Sequence, residues 1–421
     1  MTAIRLPDYS NTNVSHAPKF DGSRVTGAYA VDADKMGNVD FTMTKQWATR
    51  APDERFNSLD DLYTKALCYE ENSRENLIDV NSVEVTPSMD LLLPYLTGGQ
   101  ITTTPTHLAF QQLCALANPS IPCDYVVNLA LVGATGEVAT ALRNGLRRSA
   151  AKKISAYTMP ENGVNILRSC MYNEDTRLTL AQIIRQLQRA VGNLTGLDGS
   201  DWKTPGKLNW STIEHNPFDM AGQQSLFMSD RDMTLFFCKD ANPLEAGKTR
   251  RGLPDVYFPG AIISASETQQ MAIHITLMML RGVCCNLSLR GVEGKRSLQI
   301  KHKGNATLRL ERGFDVLDSP QDGAKFVRQI LSIKEERIPL LSYRDSHADQ
   351  DETRVQFLRK IGFTIKASEA IMSASMKHEQ HPLETIYDVY QGITQHAQSL
   401  PNYSDRNAME YAATKLLPKN I

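Results

Sequence analysis

The stretch Leu226-Phe227-Met228-Ser229-Asp230-Arg231-Asp232-Met233-Thr234-Leu235-Phe236-Phe237-Cys238 sets two apolar runs on either side of four polar residues. Short apolar, aromatic-rich runs bounded by turn-forming residues pair as antiparallel strands, so this stretch predicts a β-hairpin. Downstream, Val256 to Ser264 gives a third strand and Leu298 to His302 another, while Met271 to Leu280 is short and apolar throughout and fits a strand or a buried helix equally well. The centre of the chain therefore predicts an antiparallel sheet.

Helical signals lie on both sides of it. Upstream, Ser58 and Asp61 open a pattern carrying Leu59, Leu62 and Leu67, in the manner of a capping box. Thr104-Pro105 offers a cap followed by proline ahead of Leu108, Leu113 and Leu116, and a second helix follows Pro122. Val138 to Ala150 and Thr179 to Val191 repeat apolar residues at helical spacing, the latter through Leu180, Ile183, Ile184, Leu187 and Val191, with Arg185 and Arg189 on its solvent face. Gly192 to Asn216 has no period and reads as a loop. From about Gln321 onward the pattern is again mainly helical. The expected fold class is α+β, a central antiparallel sheet with flanking helices and helical N-terminal and C-terminal parts. The expected organisation is an irregular arm over 1–60, a mainly helical part over 61–200, the sheet over 201–320 and a helical part over 321–421.

Composition narrows the function classes. With 41% hydrophobic and 22% charged residues the chain can bury a core. No run approaches the roughly 20 apolar residues of a membrane span, and the start lacks the apolar core of a secretory signal, so a cytoplasmic protein with no membrane partner is expected. Seven cysteines in an odd, scattered set without C-x-x-C spacing point away from a disulfide framework. Net charge is −1, so an electrostatic site must be local.

Two stretches concentrate positive charge. Arg281 to Arg312 holds eight basic residues against two acidic ones, and Val138 to Ala190 holds nine against three. Phosphate backbones favour such clusters, because each neutralised phosphate releases condensed counterions. The candidate nucleic-acid contacts are Arg281, Arg290, Lys295, Arg296, Lys301, His302 and Lys303 in the first stretch, and Arg147, Arg148, Lys152 and Lys153 in the second. Aromatic residues able to stack on bases are few nearby, namely Phe314, Tyr157 and Tyr172, which favours backbone contact over base readout. The competing reading of both stretches is solvated helix and strand faces balanced by acids elsewhere.

Other motifs point away from an enzyme. Cys284, Cys285, His274 and His302 share one region, but adjacent cysteines on a strand point to opposite faces. His378 and His381 have metal-ligand spacing without an obvious third ligand, so neither a metal nor another cofactor is expected. Gly133-Ala134-Thr135-Gly136-Glu137 lacks the Lys-Ser/Thr pair of a phosphate loop and reads as a connecting turn. No nucleophile-elbow motif occurs.

Leu280-Arg281-Gly282-Val283-Cys284-Cys285-Asn286, followed by Lys301-His302-Lys303-Gly304 and Gly313-Phe314-Asp315-Val316-Leu317, resembles the YafZ/YfjQ-type phage/plasmid-like family, whose function is unassigned. Ser266 and Glu267 match that family's N-S-E element, while Ala265 and Leu287 depart from it. The resemblance implies a mobile-element origin and no particular reaction. By fold analogy alone, strands followed by a helix are compatible with phage proteins that anneal single strands.

The leading expectation is a nucleic-acid-binding protein of a phage or plasmid, a single-strand DNA annealing or replication accessory factor that self-associates. Two rivals stand beside it: an interaction protein that inhibits a host factor, and a nucleic-acid enzyme in which Glu267 helps to hold a metal.

Overall fold

The computed structural model describes residues 46–48, 50–94, 98–171, 177–208, 225–241, 243–249, 252, 254–268, 271–281, 289–290, 297–301, 305–318, 323–338, 347–400 and 402–418. They form an α+β protein that divides into two compact units. The first comprises Tyr69–Asp175 with the described residues up to Ala51, and the second comprises Pro52–Cys68 with Thr176–Ile421. The division falls inside the stretch 61–200 that composition reads as one mainly helical part. No helix among the described residues is long and apolar enough to cross a membrane.

From the start, the chain forms β1 (Glu54–Phe56), α1 (Leu59–Asn72), β2 (Arg74–Asp79), β3 (Glu84–Val85), β4 (Leu91–Pro94) and β5 (Gln100–Pro105). It continues with α2 (His107–Ala117), α3 (Cys123–Leu131), α4 (Thr135–Arg147), β6 (Lys153–Glu161) and β7 (Val164–Met171). In the first unit six strands lie in the order β2-β6-β7-β5-β4-β3, antiparallel except where β5 runs parallel to β7. The core joins the sheet, through Ile154, Ala156 and Leu167, to Phe110, Leu113 and Leu146 of the helices, and Trp47 packs on Phe110 at 5.1 Å.

This first sheet departs from the sequence expectation of a helical part. Its β6–β7 hairpin turns on Asn162 and Gly163, both at positive φ (50° and 80°), the backbone that an Asn-Gly turn supplies. β6 is buried along Ile154 to Met159 without alternation, so it carries no period-2 signal. The cap of α2 also moves. Thr106, not Thr104, accepts the Ala109 backbone N–H at 3.2 Å, and its hydroxyl donates to the Arg168 carbonyl. Thr104 and Pro105 instead end β5, paired with Ile166 and Leu167 of β7.

Gly145 of α4 marks a close helix contact: a Cβ there would lie 2.7 Å from both Cβ and O of Ala117 in α2. Helix propensity alone makes Gly→Ala worth about 1 kcal/mol in favour of folding. Overpacking against backbone costs about 1–3 kcal/mol, so Gly145→Ala is expected to lower stability in urea unfolding. A gain would show that the two helices separate freely.

The second unit begins with β1 and most of α1, then adds α5 (Leu180–Val191), β8 (Trp202–Lys203), β9 (Leu226–Met228), β10 (Met233–Lys239), β11 (Leu244–Lys248), β12 (Pro254–Ala265), β13 (Ile273–Arg281), β14 (Leu289–Arg290) and β15 (Ser297–Ile300). Helices α6 (Ala306–Gly313), α7 (Gly323–Glu335), α8 (His347–Lys360), α9 (Ile365–Glu379), α10 (Ile386–Gln398) and α11 (Tyr403–Ala413) follow. Nine strands form an antiparallel sheet along β1-β9-β10-β12-β13-β14, with β8 on β10, β11 on β12 and β15 on β13.

The opening hairpin forms as the sequence predicts. Met228 pairs with Met233, and the Ser229 hydroxyl oxygen accepts the backbone N–H of Arg231 and of Asp232 to close the turn. Phe227, Phe236 and Tyr403 interlock beneath it, Phe236 meeting Tyr403 edge-on at 5.1 Å. The ambiguous run Met271 to Leu280 resolves as strand, because β12 on one side and β15 on the other satisfy its backbone. α1 begins on the Ser58–Asp61 pair, Oγ to Oδ2 at 2.7 Å, and α5 on a full capping box between Thr179 and Gln182.

Candidate nucleic-acid interface

Positive charge in the second unit falls into an inner and an outer set. The inner set centres on Asp255, fully buried at the start of β12. Its Oδ1 accepts from Arg281 Nε at 2.6 Å, and its Oδ2 accepts from Lys334 Nζ at 2.5 Å, Tyr257 Oη at 2.9 Å and Tyr387 Oη at 2.8 Å. Arg281 also donates to Gln391 Oε1 at 3.2 Å, and its guanidinium lies 5.3 Å from the Tyr387 ring centre. The cluster ties β12 and β13 to α7 and α10.

Burial alone would raise the Asp255 carboxyl; the charges of Arg281 and Lys334 and their hydrogen bonds outweigh it and hold the pKa below the ordinary carboxylate value. Burial pulls Lys334 down, only partly offset by Asp255. Burial pushes both phenols well up, so Tyr257 and Tyr387 stay protonated.

A cavity of about 360 Å³ reaches this cluster from outside, past Lys248, Arg337, Glu384 and Asp388 to Lys334 and Tyr387. Shifted titrations beside a cavity are the usual mark of an active site. Here, however, the Lys334 ammonium has its three N–H bonds engaged, by Asp255, the Ala246 carbonyl at 2.7 Å and the Lys248 carbonyl at 3.3 Å. It is an anchor between strand and helix, with no proton or lone pair left over for a substrate.

Arg281 therefore corrects the sequence expectation. At 2% exposure it is committed to Asp255 and takes no part in a phosphate contact. Arg290 is placed only by its backbone, on β14 opposite Met278. Lys295, Arg296, His302 and Lys303 lie outside the described residues, as do Cys284 and Cys285.

The outer set is exposed. Lys301 follows β15, and its carbonyl accepts from Arg309 Nη2 at 3.0 Å, which ties α6 to the strand end. Arg309 and Arg312 stand three residues apart on α6 and so on neighbouring positions of one face. Glu311 is turned about 100° from Arg312 around the axis. Helix α5, bearing Arg185 and Arg189, packs against α6. The tail of one basic stretch is thus brought beside the end of the other, a proximity across more than a hundred residues that no sequence window shows. Among the described residues Arg189, Lys301, Arg309 and Arg312 have no ion-pair partner.

In the first unit Arg147 is exposed but bound to Glu84, 3.1 Å away, which also holds Arg143. Arg148, Lys152 and Lys153 are exposed just after α4, and among the described residues none of the three has an ion-pair partner. Arg168, counted in the same basic stretch, is buried over the Tyr69 ring at 4.1 Å and the Tyr157 ring at 5.2 Å. Of the three aromatics considered for base stacking, Phe314 and Tyr157 are buried and Tyr172 lies outside the described residues.

Glu267 is also reassigned. It is fully buried, and its Oε2 accepts the Leu180 backbone N–H at 3.2 Å, capping the start of α5. Among the described residues no group of three or more His, Cys, Asp or Glu is arranged to hold a metal ion. Gly133, at φ 98°, makes the bend between α3 and α4, the connecting-turn role its surroundings suggest.

No protein-family model, curated protein or solved structure matches the chain.

Proposed function

We propose that this protein binds the phosphate backbone of a polynucleotide, single-stranded DNA first, through Arg189, Lys301, Arg309 and Arg312 on the outer face of the second unit. The observation that carries this reading is the packing of α5 against α6, which sets two arginine-bearing helices side by side at exposed positions. Cations that are exposed and unpaired supply the counterion-release contribution; those already neutralised by a carboxylate do not. The burial of the nearby aromatics supports contact with phosphate rather than with bases. The exposed trio Arg148, Lys152 and Lys153 gives the first unit a smaller patch of the same kind. The resemblance of the Leu280–Leu317 region to a phage/plasmid-like family of unassigned function agrees with a mobile-element origin and leaves the role itself to the charge pattern.

Filter binding of the full chain to a labelled single-stranded oligonucleotide over a salt series tests this. Four phosphate contacts give log K against log salt a slope of about −3, at roughly 0.7 per contact on a single strand. A flat line, or no retention of any polynucleotide in dilute salt, overturns it.

A further inference from the structure

Helix α9 is apolar on two faces, and the described fold covers one of them. Ala367 and Ile371 are buried where α9 packs against α10, and a Cβ at Gly392 of α10 would lie 3.2 Å from Ile371. Ile365, Met372 and Met376 follow one another at helical spacing and form a second stripe. That stripe is turned by about 100° or more around the axis from Ala367 and Ile371. Ile365 is 52% exposed and Met376 51%. A helix with two apolar faces needs two partners to cover them.

The open stripe lines a groove of about 930 Å³, together with Val355 of α8 and with Pro382 and Leu383 between α9 and α10. The charge of the groove is acidic. Asp351, Glu352, Glu369 and Glu384 line it against Arg354 and Arg359. Arg354 is already committed: it is buried and donates to Asp351 Oδ1 at 2.6 Å and to the Leu383 carbonyl at 2.9 Å. Among the lining residues that leaves Arg359 against Glu352, Glu369 and Glu384, the last of which lies 3.8 Å from His381 Nε2.

We propose that this groove docks an amphipathic helix of a protein partner, its apolar face on Ile365, Met372 and Met376 and its flanks carrying lysine or arginine. Grooves take helices through apolar residues repeated every three or four positions, and flexible methionines adapt to the shape presented. The carboxylates select the sign of the partner: a basic helix meets opposite charge, and an acidic one meets like charge. The same sign repels a polynucleotide, so this surface is separate from the phosphate contacts on α5 and α6.

The probe is a fluorescein-labelled synthetic peptide of about 14 residues, roughly four helical turns, with leucines on one face and lysines on the other. Titration with the full chain should raise its fluorescence anisotropy to saturation at one peptide per chain. The matched leucine–glutamate peptide should not bind, and a leucine–lysine peptide reordered to have no apolar face should bind about tenfold more weakly or worse. Met376→Lys and Glu369→Lys change exposed positions of α9, and each should weaken the lysine peptide about tenfold or more. Circular dichroism identifies the variants that fold, and should one misfold, the other carries the comparison. The proposal is overturned if the lysine peptide does not bind, if either control peptide binds as well, or if a folded variant binds like wild type. It is overturned equally if sedimentation shows a dimer that Met376→Lys dissociates, because a second copy would then fill the groove.

Discussion

Asp255→Ala is expected to lower the unfolding free energy of the second unit by about 3–5 kcal/mol, because removing one member of a buried ion cluster leaves the others uncompensated. Arg281, 2% exposed, and Lys334 would lose their shared carboxylate, and the Tyr257 and Tyr387 hydroxyls would lose their common acceptor. A loss of this size is a large fraction of the 5–15 kcal/mol or so by which a domain is usually stable, so urea denaturation followed by tryptophan fluorescence should show it directly. Asp255→Asn keeps the volume and one acceptor but not the charge, and it should fall between the two. A change below about 1 kcal/mol for the alanine variant would mean that water replaces the carboxylate, which is incompatible with the burial found.

The same carboxyl sets an acid limit. Its folded pKa lies below the unfolded value of about 3.9, so the folded state binds fewer protons in that range. Its contribution is complete above the unfolded pKa and is lost as pH falls through the lower folded one. Wild type and Asp255→Asn should therefore converge in stability under strongly acidic conditions and diverge toward neutrality.

The second large effect concerns binding. Lys301→Gln, Arg309→Gln and Arg312→Gln together remove three exposed charges from α6 and the end of β15, and they should reduce the salt slope on single-stranded DNA by about 2. Exposed substitutions of this kind move stability by about 0.5 kcal/mol or less, so the folded protein remains for comparison. The matched variant Arg148→Gln, Lys152→Gln and Lys153→Gln tests the first unit in the same way. If only that second variant flattens the slope, the contact surface lies on the first unit and the α5–α6 placement is wrong. If neither does, phosphate contact by these residues is excluded.

How much of this was legible in the chain differs from element to element. Thr179 to Val191 reads as a helix because its apolar residues recur on one face, and the structure places α5 at Leu180–Val191. The Leu226 to Cys238 hairpin is equally open, since Ser229 and Asp232 close their own turn by local hydrogen bonds. The first unit's sheet is not, because β6 is buried along Ile154 to Met159 with Ser155 and Thr158 among the covered residues, so it shows neither a clean alternation nor a continuous apolar run. Its one local clue is Asn162-Gly163, a turn dipeptide between the two strands.

By itself the sequence determined the α+β class, the central hairpin, most helices and the abundance of cations, all of which follow from spacing along a few turns of chain. Only tertiary structure decided which cations face solvent. Arg281 and Arg309 stand in the same basic stretch, yet one meets a carboxylate 26 residues away and is buried, while the other stays at the surface on α6. Local sequence carries the periodicity that makes a strand or a helix, whereas the cost of burying charge is settled by partners that folding brings from far along the chain.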